Sequence, residues 1–398
     1  MTASIITVNM LVMFPRSLPL PDRSFFLFGP RGTGKTTWLK SCLPRAAWFD
    51  LLRATEYLQI LRNPDVFRQK VSALPRGQWV VVDEIQRASG LLDEIHSLMN
   101  EHPGKYRFAL TGSSARKLKR TGVNLLAGRT INRKFFPLTG AELSFQIDVD
   151  DLLRFGCLPA VRTERSASGR VDVLDAYVAN YLREEIQQEA AVKSLDSFSR
   201  FLDVAGIMNG QVTNVAGISR DSAVSRPTVQ GYFQALVDTL VGIWLPAWRP
   251  RAKVKEASHP KFYFFDTGVV RAIAGRTREP LGREERGSLL ETLVLHELRA
   301  WINTSNCGGS LSYWRTPSGT EVDFIWSRGT RAVAVEVKSG KSWRPEYARG
   351  LKTLVETKMV SKCFAVYGGD ERLDDGPVAV LPVVEFMRDL AGGSILRG

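Results

Sequence analysis

The sequence predicts an α/β protein made of three consecutive regions. Between about residues 23 and 143, short apolar runs alternate with helical patterns, which is typical of a parallel sheet covered by helices. From about residue 150 the periodicity is helical, and a β-like run follows at residues 241–245. An amphipathic helix at residues 283–301 then precedes three strand-like runs. We therefore expect domains at residues 1–148, 149–272 and 273–398, because 398 residues suffice for two or three cores.

The charge of the chain favours a polyanionic partner. Lys and Arg outnumber Asp and Glu by 54 to 41, which gives a formal charge of +13. Such an excess suggests nucleic acid, with DNA favoured, before a membrane surface. The alternative is a basic proteome that uses arginine freely.

The cysteine and hydropathy patterns predict a cytoplasmic protein. The four cysteines lie far apart, without a C-x-x-C pair or a nearby histidine pair, which argues against a zinc site and a disulfide framework. The apolar run at residues 5–13 is short, lacks a basic leader and has no clear cleavage site. Since no other run reaches the length of a membrane helix, we expect no contact with a membrane.

A glycine-rich loop follows the first strand-like run, residues 25–28. The loop fits the pattern G-x-x-x-x-G-K-[ST] and leads into a helix, which is the context of a phosphate-binding loop. Lys35 can then bind the β- and γ-phosphates, and the Thr36 hydroxyl can ligate Mg²⁺. The alternative is a chance glycine-rich turn. The residues predicted to contact a nucleotide here are Gly29, Pro30, Arg31, Gly32, Thr33, Gly34, Lys35, Thr36 and Thr37.

A second apolar run, residues 78–82, ends in two carboxylates. Buried parallel strands commonly deliver acids to their C-terminal edge in this way. Downstream of a phosphate loop, Asp83 is predicted to hold Mg²⁺ and Glu84 to polarise the attacking water. Without that loop, the same pattern would indicate only the end of a strand.

Two further residues are predicted to serve the same site. Ser113 and Ser114 end the strand-like run 106–111, where either could orient water or touch the γ-phosphate, although an ordinary helix cap would explain them too. Arg129 is a candidate arginine finger or sensor, because a planar cation suits the charge spread over the γ-phosphoryl group. The alternative for Arg129 is a surface or salt-bridge role.

These segments together resemble the predicted bacterial and archaeal AAA-type ATPases that carry a C-terminal domain of unknown function. The resemblance rests on residues 29–36, 83–86, 110–116 and 126–129, and it extends over nearly the whole chain from about residue 14. It implies binding of ATP with Mg²⁺, and we expect ATP hydrolysis to accompany that binding. By analogy with AAA proteins that share an arginine finger between subunits, a homo-oligomer is also expected.

The middle region predicts a winged helix-turn-helix. We expect a short helix at residues 212–218, a turn at 219–222 and a second helix that starts near Pro227 and carries one apolar stripe. A lid or protein–protein module is the alternative. The side chains expected to face a DNA groove are Arg226, Thr228, Gln230 and Gln234. Those expected to meet phosphates from the wing are Arg249, Arg251, Lys253, Lys255 and Lys261.

The last region predicts a hairpin that turns at residues 329–330. A type II′ turn there pairs residues whose numbers sum to 659, so Asp323 lies opposite Glu336 and Glu321 opposite Lys338. The other face of the hairpin would then be wholly apolar, which supports the register. The residues expected on that face are Val322, Phe324, Trp326, Val333, Val335 and Val337.

This register gathers the residues of a candidate nuclease site. Carboxylates of Asp323 and Glu336 about 5 Å apart can hold a divalent cation, and Lys338 beside them can assist a metal-bound water. The set resembles the active site of PD-(D/E)XK nucleases, with Glu291 on the preceding helix as an additional metal ligand. The alternative is a solvated hairpin face on which Glu321 pairs with Lys338.

The leading hypothesis is an ATP-binding, ATP-hydrolysing protein that acts on DNA, with possible Mg²⁺-dependent endonuclease activity in the C-terminal domain. The rival hypothesis is a regulatory switch whose nuclease-like domain binds DNA or a protein partner without cutting. An intact metal site at Asp323 and Glu336 would favour the first.

Overall fold

The first region is a five-stranded parallel sheet with helices on both faces. The computed structural model describes residues 14–113, 126, 128–182, 194–249 and 259–396. The sheet has the order β2-β3-β4-β1-β5, and each neighbouring pair is parallel. The strand-like runs at residues 25–28, 78–82 and 106–111 are confirmed as strands. The five strands of the sheet are β1 (Phe25–Phe28), β2 (Ala47–Asp50), β3 (Gln78–Asp83), β4 (Tyr106–Gly112) and β5 (Ile131–Lys134).

Alternate side chains of these strands enter two separate cores. Phe26, Val80 and Phe108 are fully buried on one face, whereas Phe25 and Val81 are fully buried on the other. A strand covered on both faces therefore reads as a continuous apolar run, which is why the sequence revealed it. The helices are α1 (Lys35–Cys42), α2 (Ala54–Arg62), α3 (Asp65–Ser72) and α4 (Leu91–Glu101), with a 3₁₀ turn at Ile85–Ala88.

The middle region is helical and ends in a two-stranded ribbon. Asn214 caps one helix by accepting the Gly217 N–H at 3.0 Å, so that helix begins three residues later than predicted. The turn after it centres on Ala223, whose φ of 53° is left-handed. The elements are α5 (Val149–Phe155), α6 (Pro159–Thr163), α7 (Ala167–Ala176, continued by a π-helix at Tyr177–Leu182), α8 (Leu195–Ile207), α9 (Val215–Ser222), α10 (Arg226–Asp238), α11 (Thr267–Ile273), and the antiparallel strands β6 (Gly242–Leu245) and β7 (Lys261–Phe264).

The C-terminal region is a six-stranded mixed sheet in the order β12-β13-β11-β10-β9-β8. One face packs against the first and last of its helices, and the other face packs against the middle one. Among the described residues, no helix combines the length and apolar character needed to cross a membrane. The elements are α12 (Arg283–Thr304), α13 (Arg349–Glu356), α14 (Val383–Gly392), β8 (Ser310–Arg315), β9 (Glu321–Arg328), β10 (Arg331–Lys338), β11 (Lys362–Tyr367), β12 (Leu373–Asp375) and β13 (Val378–Pro382).

The predicted hairpin register is confirmed only as far as Phe324 opposite Val335. Beyond that point β9 contains an irregularity. Ser312 pairs with Ile325 while Trp314 pairs with Val322, so three steps along β9 match two along β8. This is the signature of a β-bulge, which redirects the side chains near it.

The bulge changes two of our expectations. Val322 packs in the core beneath α13 together with Ile325, and not beside Phe324 as strict alternation predicted. The Asp323 carboxylate accepts the backbone N–H of Val337 at 2.8 Å, in place of a simple cross-strand pair with Glu336. One inserted residue therefore sets where the acidic side chains of β9 point.

Candidate functional site

The loop between β1 and α1 has the geometry of a phosphate cradle. Gly32 and Gly34 adopt left-handed φ angles of 80° and 91°, which other residues rarely accept. Lys35 is buried, and its ammonium donates to the carbonyl oxygens of Gly29 at 2.7 Å and Pro30 at 3.0 Å. The predicted phosphate-binding lysine thus lies over its own loop.

The two residues predicted to hold Mg²⁺ are in direct contact. The Thr36 hydroxyl donates to Asp83 Oδ2 at 2.7 Å, and the Thr111 hydroxyl donates to the other oxygen of the same carboxylate. Thr111 can reach Asp83 because β4 lies between β1 and β3. Hydroxyl and carboxylate oxygens are ligands that Mg²⁺ prefers, so this pair fits the ion.

Glu84 lies beside this pair and is joined to Ser113 by a residue that sequence reasoning missed. The Gln86 amide donates to the Glu84 carboxylate and, at 3.1 Å, to the Ser113 hydroxyl. Glu84 has a left-handed φ of 60°, and its N–H donates to Thr111 Oγ1 at 3.0 Å. Thr111 ends a predicted strand, which was a usable signal, whereas Gln86 belongs to the segment 83–86 of the resemblance but had no role assigned to it.

A cavity of about 800 Å³ opens next to the loop. This volume lies within the range of small-molecule and cofactor sites. Lys35, Thr36 and Glu84 line its polar part. Its apolar part is formed by residues from before β1, from after β5 and from α6, which are Phe14, Pro15, Leu18, Leu138, Pro159 and Ala160. The cavity therefore combines a polar side at the loop with an apolar side formed by the other segments.

The middle region touches the phosphate loop through aromatic side chains. The Tyr177 hydroxyl donates to the Arg31 carbonyl oxygen at 3.1 Å. The Arg31 guanidinium lies 4.3 Å from the centre of the Tyr181 ring, within cation–π range. A conformational change of the phosphate loop would therefore alter its contacts with the π-helical turn.

Arg16 ties the phosphate loop to the segment after β5. Its guanidinium donates to the Thr33 carbonyl oxygen at 2.7 Å and to the Phe136 carbonyl oxygen at 2.6 Å. It also lies 3.1 Å from the Glu142 carboxylate. Burial lowers the pKa of Arg16, and Glu142 opposes that change. Arg16 was not predicted, because its partners are 17 to 126 residues away in sequence.

Arg129 lies away from its own phosphate loop. It stands two residues before β5 and donates to Asn100. Since β1 and β5 are parallel, with Phe25 beside Ile131, Arg129 is at the edge of the sheet where β1 begins. The loop follows the opposite end of β1. This position does not fit a sensor of the chain's own nucleotide, and a finger directed at a neighbouring subunit and a surface role stay the two predictions for Arg129.

The C-terminal region contacts the first region through buried side chains of α12. The Gly140 N–H donates to Glu297 at 2.7 Å, and a ring nitrogen of His296 lies 3.0 Å from the Leu138 carbonyl oxygen. Burial, with a smaller contribution from Glu142, raises the pKa of Glu297 to about 8, and burial lowers the pKa of His296 to about 4. Both side chains are therefore uncharged at neutral pH.

Glu297 should make the protein less stable as the pH rises. The folded state holds a proton on Glu297 up to about pH 8, whereas the unfolded chain releases it near pH 4.5. The contribution is present below pH 4.5 and is lost by about pH 8, at a slope of at most about 1.4 kcal/mol per pH unit. Glu297→Gln keeps the acceptor for Gly140, so its melting temperature should fall less than that of wild type between pH 5 and pH 8. Exposed Glu101→Gln is the control, and identical slopes for all three proteins would contradict the assignment.

The residues of the candidate nuclease site are brought together, but with different partners from those predicted. Lys338 pairs with Glu336, and Tyr263 donates to Glu291 at 2.7 Å. Burial, and then the charge of Asp323, raises the pKa of Glu291 to about 7 and that of Glu336 to about 8. Carboxylates from α12, β9 and β10 thus share one poorly solvated site.

A lysine occupies the centre of this site. The Lys261 ammonium lies 2.5 Å from Glu321 and 3.7 Å from both Glu291 and Asp323. Only 4% of Lys261 is exposed, so the prediction that it meets phosphates from the wing is wrong. Burial alone would lower the pKa of Lys261, but the three carboxylates raise it. The wing residues Arg251, Lys253 and Lys255 lie outside the described residues.

The predicted metal site is not supported. Over the ranges that the structure describes, no group of three or more His, Cys, Asp or Glu side chains is arranged to hold a metal ion. The physical reason is that an ammonium group already lies where the carboxylates of Glu291 and Asp323 converge. Glu291, Asp323 and Glu336 are close, as expected, but they do not fit a divalent cation in this arrangement.

Three family models match successive parts of the chain. Residues 21–144 match an AAA domain, residues 146–280 match a domain of unknown function (DUF8612), and residues 286–386 match another (DUF4143). The three matched segments follow one another with short gaps. The first of them contains the phosphate loop and the Asp83–Glu84 pair.

Two mycobacterial proteins and one solved structure are similar to this chain, but they assign no activity to it. Uncharacterized proteins of Mycobacterium tuberculosis and Mycobacterium bovis are each 27% identical over 361 residues, covering 89% of this chain and 79% of theirs. Among solved structures, a RuvB variant of Thermotoga maritima is 18% identical with a TM-score of 0.30, and the match covers 56% of this chain and 82% of that one. The matched models and the parallel sheet together establish that the chain joins an AAA-type P-loop ATPase domain to a C-terminal DUF4143 domain.

Proposed function

We propose that this protein hydrolyses ATP at the loop after β1 and uses its nucleotide state to control how it engages DNA. The observation that carries the proposal is the contact network around Asp83. It joins Thr36 of the phosphate loop to Asp83 of β3 and Thr111 of β4, with Glu84 adjacent. These are the positions at which hydrolysis needs a metal ligand and a water-orienting carboxylate.

Each residue of the network has a distinct role in this proposal. Lys35 exchanges the carbonyl oxygens of Gly29 and Pro30 for phosphate oxygens when ATP binds. Thr36 and Asp83 hold Mg²⁺, which when bound offsets the charge of the phosphates. Glu84 orients the attacking water, and Ser113 positions Glu84 through Gln86.

Arg129 gives the proposal a quaternary element. It lies at the sheet edge opposite to the phosphate loop and is exposed there. A guanidinium at that edge can stabilise the γ-phosphoryl group only of ATP bound to a neighbouring copy. We therefore include a homo-oligomer in the proposed function.

The DNA contact is proposed for α9 and α10. These two helices enclose a tight turn and are followed by the β6–β7 ribbon, an order found in winged helix-turn-helix domains. Arg226, Gln230 and Gln234 are exposed on α10, while Val229 and Phe233 face the core. The polar face is thus available to a groove, and the overall charge of +13 supports binding to a polyanion.

Arg226→Ala should weaken binding to duplex DNA, because an exposed arginine at the start of α10 can contact bases or phosphates. We expect an approximately tenfold rise in Kd, measured by fluorescence anisotropy at fixed salt. Arg62→Ala, which removes an exposed arginine from α2, is the matched control and should leave Kd unchanged. Equal effects of the two substitutions would argue against this face and in favour of non-specific attraction.

The position of Lys261 favours a second candidate function, a switch whose C-terminal domain binds without cutting. An ammonium 2.5 Å from Glu321 and 3.7 Å from Asp323 competes with the divalent cation that cleavage requires. In this version ATP still controls engagement of DNA or of a protein partner. Recovery of the DNA intact would distinguish this switch from an ATP-controlled nuclease.

A further inference from the structure

The acidic cluster of the C-terminal domain contains more carboxylate than its cations neutralise. The acidic cluster consists of Glu291, Glu321, Asp323 and Glu336. Its inner cations are Lys261 and Lys338, and Arg315 at the rim lies 3.6 Å from Glu321. Carboxylates therefore outnumber cations in a site where Asp323 and Glu336 are each only 6% exposed. Without the Lys261 charge, four carboxylates would face two cations, and a divalent ion could then balance the cluster.

A second observation points to a ligand. Glu336 Oε2 is buried and meets no hydrogen-bond partner within the described part of the chain, although the other oxygen of the same carboxylate pairs with Lys338. An unsatisfied buried carboxylate oxygen is costly, and ordinary structural ion pairs do not leave one. The bulge in β9 brings Asp323 into the same cluster, 3.7 Å from the Lys261 ammonium.

Lys261 belongs to the middle region and not to the C-terminal domain whose carboxylates it meets. It is the first residue of β7, and β7 pairs with β6 through Leu245. Next to it, the Thr213 N–H donates to the Pro260 carbonyl oxygen at 3.0 Å, and the Tyr313 hydroxyl donates to the His259 carbonyl oxygen at 2.6 Å. The ammonium therefore enters the cluster from a strand of the middle region, while the carboxylates belong to the C-terminal region.

We infer that Lys261 is a built-in cation that closes the acidic cluster against divalent metal ions. The β6–β7 ribbon inserts it between Glu291 of α12 and the β9 carboxylates. The C-terminal domain is thereby kept in a state that does not bind Mg²⁺, an autoinhibitory contact supplied by the neighbouring region. This inference is independent of the proposed ATP hydrolysis, and its test contains no nucleotide, so the two can fail separately.

The test is a titration with Mn²⁺, followed by electron paramagnetic resonance, of the full chain without nucleotide. Lys261→Met removes the charge and keeps much of the volume. We expect this variant to bind one more Mn²⁺ ion than wild type. The Kd of that additional ion should be at least tenfold lower than the Kd of any ion that wild type binds in the cluster. The gain should disappear in the double variant Lys261→Met, Asp323→Asn. Mn²⁺ should also raise the melting temperature of Lys261→Met and leave that of wild type unchanged.

The control is Lys40→Met, which removes an exposed lysine of α1 and should gain no Mn²⁺. If Lys261→Met does not fold, Lys261→Gln replaces it, because the amide can still hydrogen-bond the carboxylates. Binding of Mn²⁺ to wild type that Asp323→Asn removes would overturn the inference, and so would a lysine variant that folds but gains no site.

Discussion

Lys35→Ala is expected to remove ATP binding and turnover together. The substitution deletes a buried ammonium from the wall of the cavity and leaves the phosphates without their nearest lysine. Loss of one preorganised charged donor costs about 10²- to 10³-fold in turnover, and the lost ground-state contact also weakens binding. Binding is measured with a fluorescent ATP analogue and turnover by phosphate release.

Lys40 provides the matched control for Lys35. It lies on the same helix, α1, but it is exposed and its ammonium is 5.6 Å from the Trp48 ring centre. Lys40→Ala should leave both quantities within about twofold of wild type. Turnover by Lys35→Ala at the wild-type rate would rule out the loop after β1 as the nucleotide site.

Glu84→Gln should separate binding from hydrolysis. Glutamine has nearly the shape of glutamate and can still accept the Gln86 hydrogen bond, so the cavity should keep its form. It cannot act as a carboxylate toward water, and loss of general-base assistance lowers kcat by about 10²- to 10⁴-fold. We expect ATP affinity close to wild type with almost no phosphate release.

The control for this prediction is Glu101→Gln, an exposed carboxylate at the end of α4 that pairs with Arg68. It should retain full turnover. If Glu84→Gln hydrolyses ATP as fast as wild type, the water-orienting group must be sought elsewhere around Asp83. If it fails to bind ATP, the role of Glu84 is in holding the cavity.

The strands of the ATPase sheet could be predicted from the sequence, because burial on both faces gives each strand a continuous apolar run of neighbouring residues. Strands buried on both faces, such as Trp79–Val82 within β3, read as unbroken apolar runs. Each run ends where a glycine or a carboxylate begins the polar edge. Parallel strands bring those ends together, so the sequence alone predicts that Thr36 and Asp83 lie close, and the structure places them in contact at 2.7 Å.

Other parts of the site could not be predicted, because their partners are distant in sequence. Lys261 begins a short apolar strand, and nothing near it tells that its ammonium meets Asp323 and Glu321. Arg16 depends in the same way on Thr33 and Glu142.

The bulge in β9 marks a different limit. The hairpin turn predicted the register correctly up to Phe324. The bulge lies next to Phe324 and has no signature in the sequence, because the run of apolar and acidic residues in β9 alternates in the same way with or without it. Only the structure shows that the bulge moves residues from one face of the sheet to the other. Val322 was misplaced for this reason alone.

The most direct test of the account is ATP turnover measured with and without duplex DNA, in reactions from which the labelled DNA is then recovered and sized. The account predicts turnover by wild type that changes when DNA is added, that is lost in Lys35→Ala and Glu84→Gln, and that leaves the DNA intact. ATP turnover that ignores DNA would contradict the proposed control of DNA engagement. DNA cleavage in Mg²⁺ that disappears in Glu336→Ala would contradict a cluster closed by Lys261.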